Sequence, residues 1–244
     1  MQSRKDPSGK ESGNTMKPIE TITLVLECIA VASFSVTGTL IAIKRRLDIF
    51  GALVLALITS FGGGLIRDLT IGMTPPLLLS GDREYTTMTV VCVAVSLTVS
   101  LTAFLGNMAE RLTASIHNIL IESTDTLGLA LFCILGIDSA LEANAAFQSN
   151  PALLIFCGCI TGVGGGILRD VMTAQIPSIF RKHIYLIPAL LGSSLYVVLH
   201  SYEVRQIPAI LFSAGLILIL RFLAIRFRWN LPTPLGRHEN DPQK

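Results

Sequence analysis

The sequence predicts an all-α membrane protein: seven transmembrane helices, arranged as two inverted three-helix repeats plus a seventh helix. Three observations predict it. Hydrophobic residues make up 51% of the 244 and charged residues only 15%, whereas a soluble domain carries about 25% charged residues. Seven apolar runs each approach the roughly 20 residues that a helix needs to cross a bilayer. A glycine-rich motif also occurs twice, as GGGLIRDL at 62–69 and GGGILRDV at 164–171.

The same composition excludes a disordered chain, a collagen and a secreted disulfide scaffold. The net charge of +2 and the lack of basic patches interleaved with aromatics speak against a nucleic-acid partner. Cys28, Cys92, Cys133, Cys157 and Cys159 all fall inside apolar runs and read as small buried hydrophobes, without zinc spacing or an expected disulfide. No P-loop, HExxH, GxSxG or Rossmann fingerprint is present, so the chain reads as a non-enzyme without a cofactor. None of His117, His183, His200 and His238 forms a metal-ligand spacing with another.

In chain order, residues 1–18 form a polar tail without signal-peptide layout. The apolar runs follow at about 22–43, 49–73, 87–106, 116–139, 151–175, 184–201 and 206–226, and a polar, proline-bearing tail closes the chain at 229–244. Grouped by repeat, residues 19–108 hold the first three spans, 115–202 the second three and 205–228 the seventh. The third, sixth and seventh runs are the most uniformly apolar. The first, second, fourth and fifth carry charged and polar residues and are expected to face the protein interior. Orientation follows from loop charge. The side reached after the first span carries Lys44, Arg45, Arg46, Arg111, Arg181 and Lys182, against Arg83 and Arg205 on the other. Positive loops stay cytoplasmic, which predicts an inner-membrane protein with its N-terminus outside and its C-terminus inside.

The internal match extends well beyond the glycines. Pro75 lies eight residues after Arg67 and Pro177 eight after Arg169, and Tyr85 and Tyr185 follow basic clusters in the two copies. Upstream, Glu27, Phe34 and Gly38 match Asp125, Phe132 and Gly136 at the same spacings of seven and eleven. At 100° per residue the three positions share one helical face. Three spans per copy is an odd number, so the second copy enters the membrane from the opposite side, the arrangement of many transport proteins. The triplets Gly62-Gly63-Gly64 and Gly164-Gly165-Gly166 have two readings: a tight helix crossing, or a kink that frees carbonyls and lines a pore. The Arg-Asp pair that follows each triplet favours the pore.

Arg67, Asp68, Arg169 and Asp170 are charges inside apolar runs, each costing about 2.5–3.5 kcal/mol at mid-bilayer. Adjacent helical residues point about 100° apart, so the expected structural solution is a crossed clamp of Arg67 with Asp170 and Arg169 with Asp68. The alternative is exposure to a water-filled path. Glu27 and Asp125, at equivalent repeat positions, and Glu122 are either acceptors for hydroxyls such as Thr23, Ser123 and Thr126, or cation-attracting or proton-relay groups. Asp138 is placed near the outer mouth. Ser33, Ser35, Thr37 and Thr39 line a path or bond back to carbonyls of their own helix. Arg221 is expected to snorkel toward the cytoplasmic interface.

The two copies of GGG-x-x-RD, each followed by proline, resemble the prokaryotic TRIC (trimeric intracellular cation) channel family. The stretch VGGGILRDV…IP…FRKHIYLIPALLG in 163–192 carries most of the likeness, which covers about residues 20–226. The resemblance implies a homotrimer with one pore per protomer for monovalent cations, potassium foremost and sodium beside it. It also implies spans bent at the two glycine triplets, with Arg67, Asp68, Arg169 and Asp170 beyond the bends. Residues 62–68 read GGGLIRD where animal members carry a lysine-bearing motif associated with lipid or voltage response. The basic residues Lys44, Arg45, Arg46, Arg181 and Lys182 are expected to face membrane lipid headgroups. The same domain family is also linked to glycine transport, which leaves a small-amino-acid carrier as the alternative.

Overall fold

The computed structural model describes residues 18–105, 114–181 and 185–227. Both tails, Arg111, Lys182 and His183 lie outside them, as does the side chain of Arg181. Within them the chain forms seven main helices: α1 Pro18–Lys44, α2 Ile49–Thr70, α3 Arg83–Leu105, α4 Ala114–Ala143, α5 Pro151–Met172, α6 Leu186–Ser201 and α7 Gln206–Arg226. Six are long and apolar enough to cross a membrane. The sixth, α6, has 16 residues, about 24 Å at 1.5 Å per residue against a hydrocarbon core of about 30 Å. It is shorter than the 184–201 run because Tyr185 stays outside the helix, its phenol turned into a buried cluster.

Local chemistry sets the helix ends. Pro18 opens α1 and Pro151 opens α5, where a missing N–H costs nothing. Asp48 caps α2 by accepting the Gly51 N–H at 2.6 Å, and Asn150 caps α5 by accepting the Leu153 N–H at 3.1 Å. The two glycine-bearing helices finish alike. Ile71 N donates to Arg67 O and Met73 N to Asp68 O, and Thr173 N donates to Arg169 O and Gln175 N to Asp170 O.

Four helices form the interior: α2 packs most extensively on α5, α1 packs on α2, α4 packs on α5, and α1 and α4 pack on each other. The matched rings Phe34 and Phe132 meet across α1 and α4 with centroids 5.1 Å apart. The α3 helix lies against α1 and α2, while α6 lies against α4 and α5, and α7 against α4 and α6. A large cluster including Leu129, Ile134, Ile137, Leu154, Tyr196, Ile210 and Ile217 fills the second half. Val31, Ala56, Phe61, Met88 and Cys92 fill a smaller one between α1, α2 and α3. Outward faces are apolar too, with Val90, Leu97, Leu101, Phe212, Ile219 and Phe222 exposed, as a lipid-facing surface requires. The α3 helix is the least buried of the spans, as its uniform apolarity predicts.

The central contact is the crossing of α2 and α5. A Cβ at Gly63 would overlap the Thr161 carbonyl, and one at Gly165 would overlap the Thr59 carbonyl. Thr59 opposite Gly165, and Thr161 opposite Gly63, set an antiparallel register. The supporting glycines repeat the pattern: Gly38 of α1 seats against Thr59, and Gly136 of α4 against Thr161. Both helices run as continuous α-helix through their triplets, and the contacts there are those of the tight helix crossing. In a bilayer every released carbonyl needs a new donor, and the close backbone approach lets the helices keep their own hydrogen bonds.

Candidate functional site

Beyond the crossing, each helix delivers its Arg-Asp pair to an opposite end of the molecule. At the end where α2 finishes, Arg67 donates to Asp68 Oδ1 through Nε at 2.9 Å and Nη2 at 2.7 Å. Asp68 Oδ2 accepts the backbone N–H of Leu77 at 2.9 Å. At the end where α5 finishes, Arg169 donates from Nε to Asp170 Oδ1 at 3.0 Å, and Asp170 Oδ2 accepts the Ser178 N–H at 2.7 Å. Each aspartate therefore ties down the loop that carries the matched proline, and each arginine neutralises that aspartate. All four side chains are nearly fully buried.

This arrangement overturns the crossed clamp. With α2 and α5 antiparallel, Arg67 and Arg169 lie four residues past Gly63 and Gly165 in opposite directions, about 6 Å each way along the axes. Neither arginine forms an ion pair with the other helix's aspartate among the described residues. Adjacent positions are no bar to pairing, because the guanidinium stem folds back while the carboxylate turns toward the loop.

The second end holds a larger cluster. Arg169 Nη1 also pairs with Asp125 Oδ1 at 2.6 Å, and Tyr185 donates its hydroxyl to Asp125 Oδ2 at 2.7 Å. The Arg221 guanidinium lies 4.3 Å from the centroid of the Tyr185 ring, a cation–π contact. Arg221 is 3% exposed, which corrects the expected snorkelling. A face of α7 that packs on α4 and α6 holds the side chain inside the protein. The matched tyrosines hinted at this partner for Asp125, whereas nothing in the chain order pointed to Arg221.

Two cavities flank the crossing. The first has space for water of about 40 Å³ and is lined by Glu27, Ser60, Arg67, Asp68, Tyr85 and Ser139 among others. The second, of about 400 Å³, is lined by Lys44, Arg45, Asn118, Glu122, Asp125, Arg169, Asp170 and Arg221 among others. Phe61, Gly64 and Thr161 belong to the first lining, so the glycine crossing stands between the two. A third cavity of about 360 Å³ gathers Asp138, Glu142, His200 and Glu203. There Asp138 accepts from the Tyr196 hydroxyl, and from Gln206 Nε2 at 2.9 Å. No metal-binding group of His, Cys, Asp and Glu occurs among the described residues.

The hydroxyls are mostly structural. Ser33 and Thr37 bond back to Ile29 and Ser33 carbonyls, Ser35 donates to the Cys92 carbonyl, and Thr39 donates to Ser96 Oγ at 3.0 Å. Ser123 and Thr126 also bond back within their own helix, so neither holds a carboxylate as the sequence suggested. Lys44, Arg45 and Arg46 are exposed after α1, and Lys44 Nζ donates to Asn118 Oδ1 at 3.1 Å.

The fold and site define a polytopic helical membrane protein with a glycine crossing at its centre and a cavity on either side. Comparison with known proteins gives the family. The family model described as "Glycine transporter" matches the chain twice, at residues 24–103 and 122–201. The UPF0126 inner membrane protein YadS of Escherichia coli (strain K12) is 33% identical over 85% of this chain and 94% of its own length. A UPF0126 membrane protein of Vibrio cholerae is 32% identical over 86% of this chain and 81% of its own. Among solved structures, a prokaryotic TRIC channel in 0.5 M KCl superposes with a TM-score of 0.73 at 29% identity, covering 86% of this chain and 99% of that one. The TRIC orthologue from Rhodobacter sphaeroides gives the same TM-score and identity over 86% and 100%. The chain belongs to this family of UPF0126 membrane proteins and TRIC channels.

Proposed function

We propose that the protein conducts monovalent cations, potassium foremost and sodium beside it, through one pore in each protomer of a homotrimer. The observation that carries this is a fold shared with TRIC cation channels, in which a small, largely apolar cavity bearing Glu27, Arg67 and Asp68 and a larger polar cavity lie on either side of the glycine crossing. On this reading the two three-helix units, 19–108 and 115–202, are inverted repeats and α7 is unpaired. The twice-matching family model and the antiparallel α2–α5 register support that. Ions pass when α2 and α5 separate or bend at Gly62–Gly64 and Gly164–Gly166, joining the cavities. Cavity two faces the cytoplasm. Lys44, Arg45 and Arg46, with Arg181 and Lys182, meet the anionic headgroups of that leaflet of a bacterial inner membrane.

A glycine carrier is the second reading, favoured by the description of the family model. Reconstitution into planar bilayers separates the two. Unitary currents in potassium salt are the expected result. Saturable, steeply temperature-dependent glycine uptake without unitary currents would overturn the channel.

A further inference from the structure

The repeat symmetry fails at one matched pair of carboxylates. Asp125 has both oxygens engaged, by Arg169 at 2.6 Å and by Tyr185 at 2.7 Å. Its counterpart Glu27 is half-buried in the wall of the first cavity. The counterpart arginine and tyrosine, Arg67 and Tyr85, line that same cavity. Yet Glu27 has neither a hydrogen bond nor an ion pair with any described residue, and Arg67 is committed to Asp68. A partly desolvated carboxylate without a protein partner is left to take up a proton or to draw its counter-charge from water-borne cations, and the second course is open where its cavity admits water.

The surroundings of the two cavities differ in the same sense. Around the first, Glu27 lies within electrostatic reach of Glu84, Asp138 and Glu142, with Arg67 the opposing cation. The second cavity carries four cationic side chains, Lys44, Arg45, Arg169 and Arg221, against the three carboxylates Glu122, Asp125 and Asp170. One mouth of the path concentrates cations and the other repels them.

We infer that Glu27 is the residue that selects cations at the first mouth, and that the opposite charge of the two mouths makes each protomer rectify. Cations enter more readily from the Glu27 end than from the Lys44–Arg45 end. The inference rests on the channel reading for its rectification but not for its electrostatics.

Two measurements test it. In bilayers with known insertion direction, conductance is compared for the two current directions at about 0.01 M and about 1 M KCl, where the Debye length falls from about 30 Å to about 3 Å. The expected result is a severalfold larger current from the Glu27 end at low salt, near symmetry at high salt, and loss of the asymmetry in Glu27→Gln. Rectification that persists in Glu27→Gln, or that ignores salt, overturns the proposal. The second measurement does not need conduction. Leu78→Cys in the first cavity and Asn118→Cys in the second are reacted with a quaternary-ammonium and a sulfonate methanethiosulfonate, and the labelled position is followed by peptide mapping. The cationic-to-anionic rate ratio should be about tenfold higher at position 78 at low salt, within the range of electrostatic focusing in clefts, and should fall there in Glu27→Gln. Equal ratios at the two positions overturn the charge asymmetry. The absence of currents with unequal ratios defeats the channel reading and leaves Glu27 as the cation-attracting group.

Discussion

Arg67 and Arg169 occupy equivalent places but carry different loads. Arg67 serves one carboxylate, whereas Arg169 serves two, Asp170 and Asp125. Removing one partner of a buried pair leaves an uncompensated charge and costs about 3–5 kcal/mol. Both Arg67→Gln and Arg169→Gln should therefore lower the melting temperature in detergent, the second more than the first. A thermal double-mutant cycle should show coupling between Arg67 and Asp68 and none between Arg67 and Asp170; the reverse pattern would restore the crossed clamp. Tyr185→Phe should cost about 1–3 kcal/mol, because one Asp125 oxygen then loses a buried donor, and a melting temperature equal to wild type would contradict that. At this scale the sequence picked out Glu27, Arg67, Asp68, Asp125, Arg169 and Asp170 as charges within apolar runs, and five of the six meet in buried ion pairs. It mis-paired them because spacing along a helix reveals which face a residue occupies but not how far a guanidinium stem folds back. Arg221 was misread for a related reason: distance from a helix end suggests snorkelling, and only packing of α7 on α4 shows that the side chain is enclosed.

At the scale of elements, the glycine triplets divide by position within each triplet. Gly63 and Gly165 touch the carbonyls of the opposite helix, whereas a Cβ at Gly64 would meet only the Arg67 guanidinium at 3.9 Å, and one at Gly166 the Tyr185 hydroxyl at 3.5 Å. Gly63→Ala and Gly165→Ala should push α2 and α5 apart and lower stability by about 1–3 kcal/mol, the range for overpacking. Gly64→Ala should be neutral or slightly stabilising, since alanine is the better helix former by about 1 kcal/mol. Thermal shift of the three variants checks the contrast, and equal losses at Gly63 and Gly64 would refute the crossing as the cause. The same contrast explains what the motif revealed in advance. Two GGG-x-x-RD copies announced a special pair of helices and their symmetry. The choice between crossing and break depended on whether a partner backbone arrives at that height, and its residues, Thr59 and Thr161, lie in no motif of their own.

At the scale of the whole molecule, the six-to-two bias of positive loop residues predicts a direction in the membrane for the seven expected spans. The cavities agree with that direction. The basic cavity, lined by Lys44 and Arg45, lies where α1 and α5 finish and α4 begins, and the acidic surroundings of Glu27 lie at the other end. Reporter fusions at residues 45, 110 and 182 should therefore all report the cytoplasm, and a fusion at residue 203, between α6 and α7, should report the outside. The position after 181 is the discriminating one. It follows α5, and α5 can end on the same side as α1 only if the second three-helix unit entered inverted. The short α6 makes this a physical question, because a helix of about 24 Å crosses only with local bilayer thinning or flanking residues that reach for the interface. A cytoplasmic signal at both 182 and 203 would mean that α6 fails to cross, which would break the seven-span topology. An outside signal at 203 with a cytoplasmic one at 182 establishes that both units span the membrane in opposite senses. The acidic mouth then faces outward, and the rectification inferred from Glu27 acquires its sign, with cation entry favoured over exit.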